Sequence, residues 1–205
     1  MELERLVALI KLTVELCHGT VHTGRRLSEN PDVCHAACNW FLNTVRNQGA
    51  VAAIAGLSII SKDTFKVSQR HAEEGPAMVR EAISNARRVR GQMAPTDEMD
   101  ALRYLMKHHR QPDPNSWSND YNAVGADVSE AMKRNDAVMI YIHSNNGGHV
   151  ICVCGNVGGV LVYDPNIGVI SLPARERGAL ANVISLILSW YAKEMKLDLF
   201  AFLPK

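Results

Sequence analysis

Residues 147–169 read GGHVICVCGNVGGVLVYDPNIGV. Two runs of β-branched and apolar residues flank a glycine-rich GNVGG, so the stretch predicts a β-hairpin. Pairing the strands about the midpoint of Asn156 and Val157 sets Val153 opposite Val160, Ile151 opposite Val162 and His149 opposite Asp164. Directly opposed residues on one face have Cβ atoms roughly 4.5–5.5 Å apart, within hydrogen-bonding reach for an imidazole and a carboxylate. A one-residue slip would send the two to opposite faces. The pair reads either as a surface His–Asp contact or as the back half of a catalytic triad, in which an acid orients a histidine and stabilises its imidazolium. The second reading requires a nucleophile elsewhere in the chain.

Around the hairpin the texture is that of strands. DAVMIYIHS precedes it and GVISLP follows, each bounded by turn residues. A helix over about 175–194 and a last strand, LDLFAFLP, complete the chain. Towards the N-terminus the pattern is helical. Leu3, Leu6, Val7, Ile10 and Val14 recur at helical spacing, and HGTVHTGRRLSEN then reads as a polar turn. In NPDVCHAACNWFLNTVRNQG, Asn30 suits a helix cap, Pro31 its first position and Gly49 its end. Residues 61–110 read as charged helices, QPDPNSWSNDYN as a loop and DVSEAMKRN as a short helix. Helices first and an antiparallel sheet later make an α+β fold.

Composition narrows the function. The 205 residues carry a net charge of +1 and are 47% hydrophobic, which gives no bulk basicity for nucleic acid. The N-terminus lacks the small-residue cleavage site of a secretory signal peptide. AVAAIAGLSII (50–60) and ALANVISLILSWYA (179–192) are too short to span a bilayer and read as buried helices. Five cysteines without scaffold-like spacing indicate free thiols in a reducing compartment.

DVCHAAC supplies two candidate nucleophiles. Cys34 would be the fourth residue of a helix starting at Pro31, where the positive end of the helix dipole favours a thiolate. Cys38 lies one turn deeper and gains less. Cys34, Ala37, Cys38, Phe41, Leu42 and Val45 also form one helical stripe, on which small buried cysteines are common.

CHAAC with its aromatic helix, then GGHVICV, then VYDPNIG, together resemble the papain-like cysteine proteases, in particular the YopT/AvrPphB group of bacterial secreted effectors. The resemblance covers about 138–172 and 30–45, and YDPNIG is its most specific element. It implies a papain-like fold with the nucleophile helix packed on a C-terminal antiparallel sheet. One domain would span 1–205, with a helical insertion at about 61–134 and the sheet-forming part at about 136–205. Residue by residue, Cys34 matches the nucleophile, His149 the general base and acid, and Asp164 the orienting group. Cys38 matches the small-residue slot after the nucleophile. The family draws an oxyanion-hole donor from an Asn or Gln side chain before the cysteine; here Asn30 stands slightly closer than the usual offset, and it equally suits the helix cap. No metal or organic cofactor is implied. The expected substrate is a protein, of the host by analogy, with the chain exported from the bacterial cytoplasm or delivered into host cytosol as a monomer. Only 33 residues precede Cys34, which reads as a mature form or an excised domain.

Other signals carry other readings. His18, His22, Cys34 and Cys38 have spacings that suit zinc, although GTVHTGRR reads as a turn. His143 is a rival base across a glycine-rich loop. Cys152 and Cys154 alternate to the face opposite His149 and read as core. Trp117 either lines a substrate cleft or plugs the core. Arg80, Arg87, Arg88 and Arg90 suit either an acidic partner or a solvated helix face. The same triad also serves protein deamidases and acyltransferases, and the same fold a non-catalytic partner-binding effector.

Overall fold

A computed structural model describes residues 3–22, 34–57, 117–134, 136–144, 147–197 and 199–204. Their order is α1 (Leu3–Leu16), β1 (Thr20–His22), α2 (Cys34–Gln48), α3 (Ala50–Leu57), α4 (Tyr121–Ala131), β2 (Ala137–Ser144), β3 (Gly147–Asn156), β4 (Gly159–Asp164) and β5 (Gly168–Pro173). A 3-10 helix (Ala174–Ala179), α5 (Leu180–Trp190), a π-helical turn (Tyr191–Met195) and β6 (Leu199–Pro204) follow. The strands form one antiparallel sheet in the order β1-β5-β4-β3-β2-β6. The chain is therefore a mixture of helices and an antiparallel sheet, as its patterning requires. The basic stretch 80–90 and most of the expected insertion lie outside the described residues.

Helices cover both faces of the sheet. On one face α1, α4 and α5 pack their apolar stripes against Val138, Ile140, Ile151, Val153, Val160 and Val162. On the other, α2 and α3 cover Met139, Val150, Cys152, Cys154, Leu161 and Tyr163. Alternate residues of one strand thus enter different cores. This is why every residue of GVLVYD is buried and why β4 reads as a continuous apolar run rather than an alternating one.

Four details depart from the sequence-based expectations. TVH is an edge strand, not part of a turn: three residues pair with Val169, Ile170 and Ser171 of β5. A three-residue strand carries too little periodicity to stand out. Helix α4 begins at Tyr121, inside the expected loop, because the Asp120 side chain accepts from the N–H groups of Asn122 and Ala123 at 2.9 and 3.1 Å. Helix α3 is only partly buried: Ala53 and Leu57 face the core while Val51 is 83% exposed.

The fourth concerns the hairpin. Val153 pairs with Val162, not Val160, and Asn156 pairs with Gly159. The turn is Val157-Gly158, fixed by the Asn156 side chain accepting from the Gly158 N–H at 2.6 Å. The register is thus displaced by two residues. A two-residue slip preserves parity, so His149 and Asp164 still share a face, now as diagonal rather than direct neighbours.

Two glycines have specific work. Gly49, at φ 87°, ends α2 in the left-handed conformation as expected. Gly125 lets α4 lie close against α5: a Cβ there would sit 2.7 Å from the Ala181 carbonyl oxygen and 2.4 Å from the Ser185 hydroxyl. Gly125→Val is expected to destabilise the fold by about 1–3 kcal/mol through overpacking, measured by urea denaturation.

Candidate active site

Helix α2 determines where its cysteines go. The Cys38 thiol donates to the Val150 carbonyl at 3.3 Å, and the Cys152 thiol to the Cys38 carbonyl at 3.8 Å. One turn on, Phe41 stacks on Tyr163 at 4.6 Å. Further along, Val45 and Arg46 border the same cavity as Cys154 and Gly155. Helix α2 therefore runs in the same direction as β3. Its first turn, with Cys34, falls at the start of that strand, where His149 stands. The preceding residue on the α2-facing side of β3 is Gly148, which places no side chain in between.

His149 and Asp164 meet at this end of the sheet. The imidazole Nε2 lies 3.0 Å from Asp164 Oδ1, with His149 6% exposed and Asp164 fully buried. A buried carboxylate is costly unless donors surround it. Here the Asn166 N–H donates to Oδ1 at 2.8 Å, and the Tyr191 hydroxyl lies 3.1 Å from Oδ1 and 3.0 Å from Oδ2. The Tyr191 ring also stacks on the imidazole, with centroids 4.8 Å apart and planes inclined by 27°. The Asn166 side-chain amide donates to the Tyr191 hydroxyl oxygen at 3.0 Å.

These contacts set the protonation. Burial alone would lower the His149 pKa. The charge and hydrogen bond of Asp164, joined by the hydrogen bond and charge of Cys34, more than offset it and raise the imidazole to about 9. Since Nε2 is engaged by the carboxylate, Nδ1 is the edge left for the Cys34 thiol. Burial pushes the Cys38 thiol well above its ordinary value, with the neighbouring Cys152 adding to the rise. Burial likewise raises Tyr141, to about 12.

The structure thus brings Cys34, His149 and Asp164 together. Asn30 lies outside the described residues. Trp117 is half-buried, with its ring edge-on to His143 at 5.9 Å. His143 is on β2, not in a loop; it pairs with Gly148 and is exposed, and its parity directs it away from the Asp164 face. His18 and His22 flank or occupy β1, three places from β3 in the sheet, whereas Cys34 and Cys38 lie on α2 over β3. The zinc constellation is not assembled, and among the described residues no cluster of three or more His, Cys, Asp or Glu side chains could hold a metal. All five cysteines are free thiols, and Cys152 and Cys154 are buried core residues. Among the described residues no helix is long and apolar enough to cross a membrane. Sequence reasoning missed Tyr191 and Asn166. The Asp-Pro-Asn turn is a signal for the second, since an aspartate commonly accepts from the N–H two residues on.

No protein-family model and no curated protein sequence matches the chain. Among solved structures, the crystal structure of the Pseudomonas avirulence protein AvrPphB is similar over 89% of this chain and 95% of that one, with a TM-score of 0.57 and 15% sequence identity. The two chains share a fold. That likeness covers far more of the chain than the segments in which the sequence resemblance is carried.

The raised imidazole pKa makes a testable statement. A histidine charged in the folded state above its usual 6.5 contributes stability that is fully present below about pH 6.5 and is lost as the pH rises through about 9. Nuclear magnetic resonance titration of His149 is expected to give a midpoint near 9, and Asp164→Asn to lower that midpoint by about one unit or more.

Proposed function

We propose that the chain is a papain-like cysteine hydrolase that cleaves a protein substrate, with Cys34 as nucleophile, His149 as general base and acid, and Asp164 as the group that orients the imidazole. The observation that carries the reading is the convergence at one end of the sheet of a helix-opening thiol, a charged imidazole and a buried carboxylate. The shared fold with AvrPphB and the motif resemblance to the YopT/AvrPphB group support it.

The proposed chemistry uses this geometry. The imidazolium on Nδ1 holds Cys34 as thiolate, which attacks the amide carbonyl and forms the C–S bond. His149 Nδ1–H protonates the departing amine as the C–N bond breaks. Water, deprotonated by the now neutral His149, attacks the thioester and releases the acid product with the thiol restored. Asp164 holds the imidazole on Nε2 throughout. The Cys34 backbone N–H, at the opening of α2, serves as one oxyanion donor, and the Asn30 side chain is the proposed second. Trp117 and His143 form one wall of the proposed substrate cleft. By the same resemblance the chain acts as a monomeric bacterial effector on a host protein after export.

Limiting iodoacetamide across about pH 5–9, with the modified peptides mapped by mass spectrometry, tests the pair directly. An unperturbed thiol with pKa about 8.5 labels little at pH 6. Cys34 is expected to label selectively there, about a hundredfold faster than a free thiol, and His149→Ala to remove the excess. Cys34→Ala is expected to abolish proteolysis of any substrate found. Labelling of Cys38 in place of Cys34 moves the nucleophile, and no labelling of either at pH 6 sinks the hydrolase.

A further inference from the structure

We propose that Tyr191 is a positioning residue of this site, acting on the reaction through Asp164 and His149 rather than by touching substrate. The proposal rests on the hydrolase reading above and deepens it.

Three observations carry it. The first is the direction of one proton. A phenol has a single O–H, and the Tyr191 oxygen already accepts from the Asn166 side-chain amide at 3.0 Å. Its own hydrogen is therefore directed at the carboxylate, where it lies 3.1 and 3.0 Å from the two Asp164 oxygens. A donor shared between both oxygens resists rotation of the carboxylate about its own bond, and so fixes the oxygen that His149 Nε2 engages. Burial raises the Tyr191 pKa well above its ordinary value, with the Asp164 charge adding to the rise, so the hydroxyl remains a donor throughout the working pH range. The titratable groups that face it are Asp164, His149 and Cys34.

The second observation is the stack. The ring lies over the imidazole at 4.8 Å and 27°, closing one face of the His–Asp hydrogen bond to water. An aromatic face favours a cation above it, so the stack stabilises imidazolium more than neutral imidazole. That is the protonated form that the hydrolase reading requires of His149.

The third is the backbone. Helix α5 ends at Trp190, and the chain widens into a π-helical turn at Tyr191 itself. The turn closes with Lys196 at φ 56° and the Leu197 N–H bonded to the Tyr191 carbonyl at 3.1 Å. Single π-helical turns are rare, and they recur where a helix must offset one side chain at a functional site. The Trp190 ring also packs on that of Tyr191, edge-on at 4.9 Å.

The test is the pH profile of Cys34 alkylation in the full chain, for the wild type, His149→Ala, Tyr191→Phe and Asn166→Ala, with melting temperature measured alongside. Tyr191→Phe keeps the ring and removes the donor. It is expected to move the acid limb of Cys34 labelling up by about one pH unit and to slow labelling at pH 6 about tenfold, the size of one lost hydrogen bond to a charged group. Asn166→Ala removes only the donor that directs the hydroxyl, and is expected to shift the limb in the same direction by less. A merely structural tyrosine would lower the melting temperature and leave the profile in place; that result overturns the proposal. Should Tyr191→Phe fail to fold, an unshifted profile in Asn166→Ala overturns it equally. A wild type without His149-dependent labelling at pH 6 fails the hydrolase reading itself, and the proposal with it, which separates the two failures.

Discussion

The rest of the site is built around one buried charge. Asp164 ends β4 with no solvent exposure, and a carboxylate there is tenable only if it is surrounded by donors. Those donors come from three separate parts of the chain: His149 from β3, the Asn166 backbone from the turn after β4, and Tyr191 from the turn after α5. Each is thereby fixed relative to the others. Removing the charge would leave a buried imidazole and a buried phenol without the partner that orients them. The carboxylate thus acts as a structural node as well as an electrostatic one.

The two-sided sheet explains why the site lies where it does. His149 and Asp164 share the face that packs on α1, α4 and α5, while Cys34 belongs to the core beneath α2 on the other face. A thiol from one layer and an imidazole from the other are separated by the sheet along almost its whole length. They meet only where β3 begins, at Gly147-Gly148, and only because α2 runs parallel to β3 with its first turn at that end. The parity of the strand and the direction of the helix are therefore joint requirements for the two groups to meet.

Most of the architecture was legible because it is written in periodicity. Helix α1 and the body of α2 follow from apolar spacing, and the four central strands and the final helix from apolar runs bounded by turn residues; the structure places each element where the sequence sets it. The hairpin register was not legible to the residue, since GNVGG contains several equivalent turn positions and Asn156 decides between them through its own side chain. The face of His149 and Asp164 survived that error because the displacement was even. What sequence could not supply was Tyr191. In SLILSWYAKEM it is one more aromatic at the end of an apolar helix, and its hydroxyl reaches Asp164 from a π-helical turn. Strand β1 escaped for the opposite reason: its pairing partner lies far along the chain, so no local pattern announces it.

The two cysteines of CHAAC show how packing distinguishes residues that spacing leaves alike. Both belong to the buried stripe of α2, so the core reading and the nucleophile reading are not exclusive. Cys38 faces the middle of β3. There its thiol donates to a strand carbonyl, lies against Cys152, and is held neutral by burial. A thiol in that setting is a small hydrophobe with one weak hydrogen bond. Cys34 is the same residue type on the same stripe, 8% exposed, yet one turn earlier its partner is the imidazole of His149 near the start of β3 instead of a strand carbonyl. The chemical difference is one of partner as well as of depth. A carbonyl accepts a thiol proton in a hydrogen bond and leaves it on sulfur, whereas an imidazole is also a base, the property that a nucleophilic thiol would need in its partner.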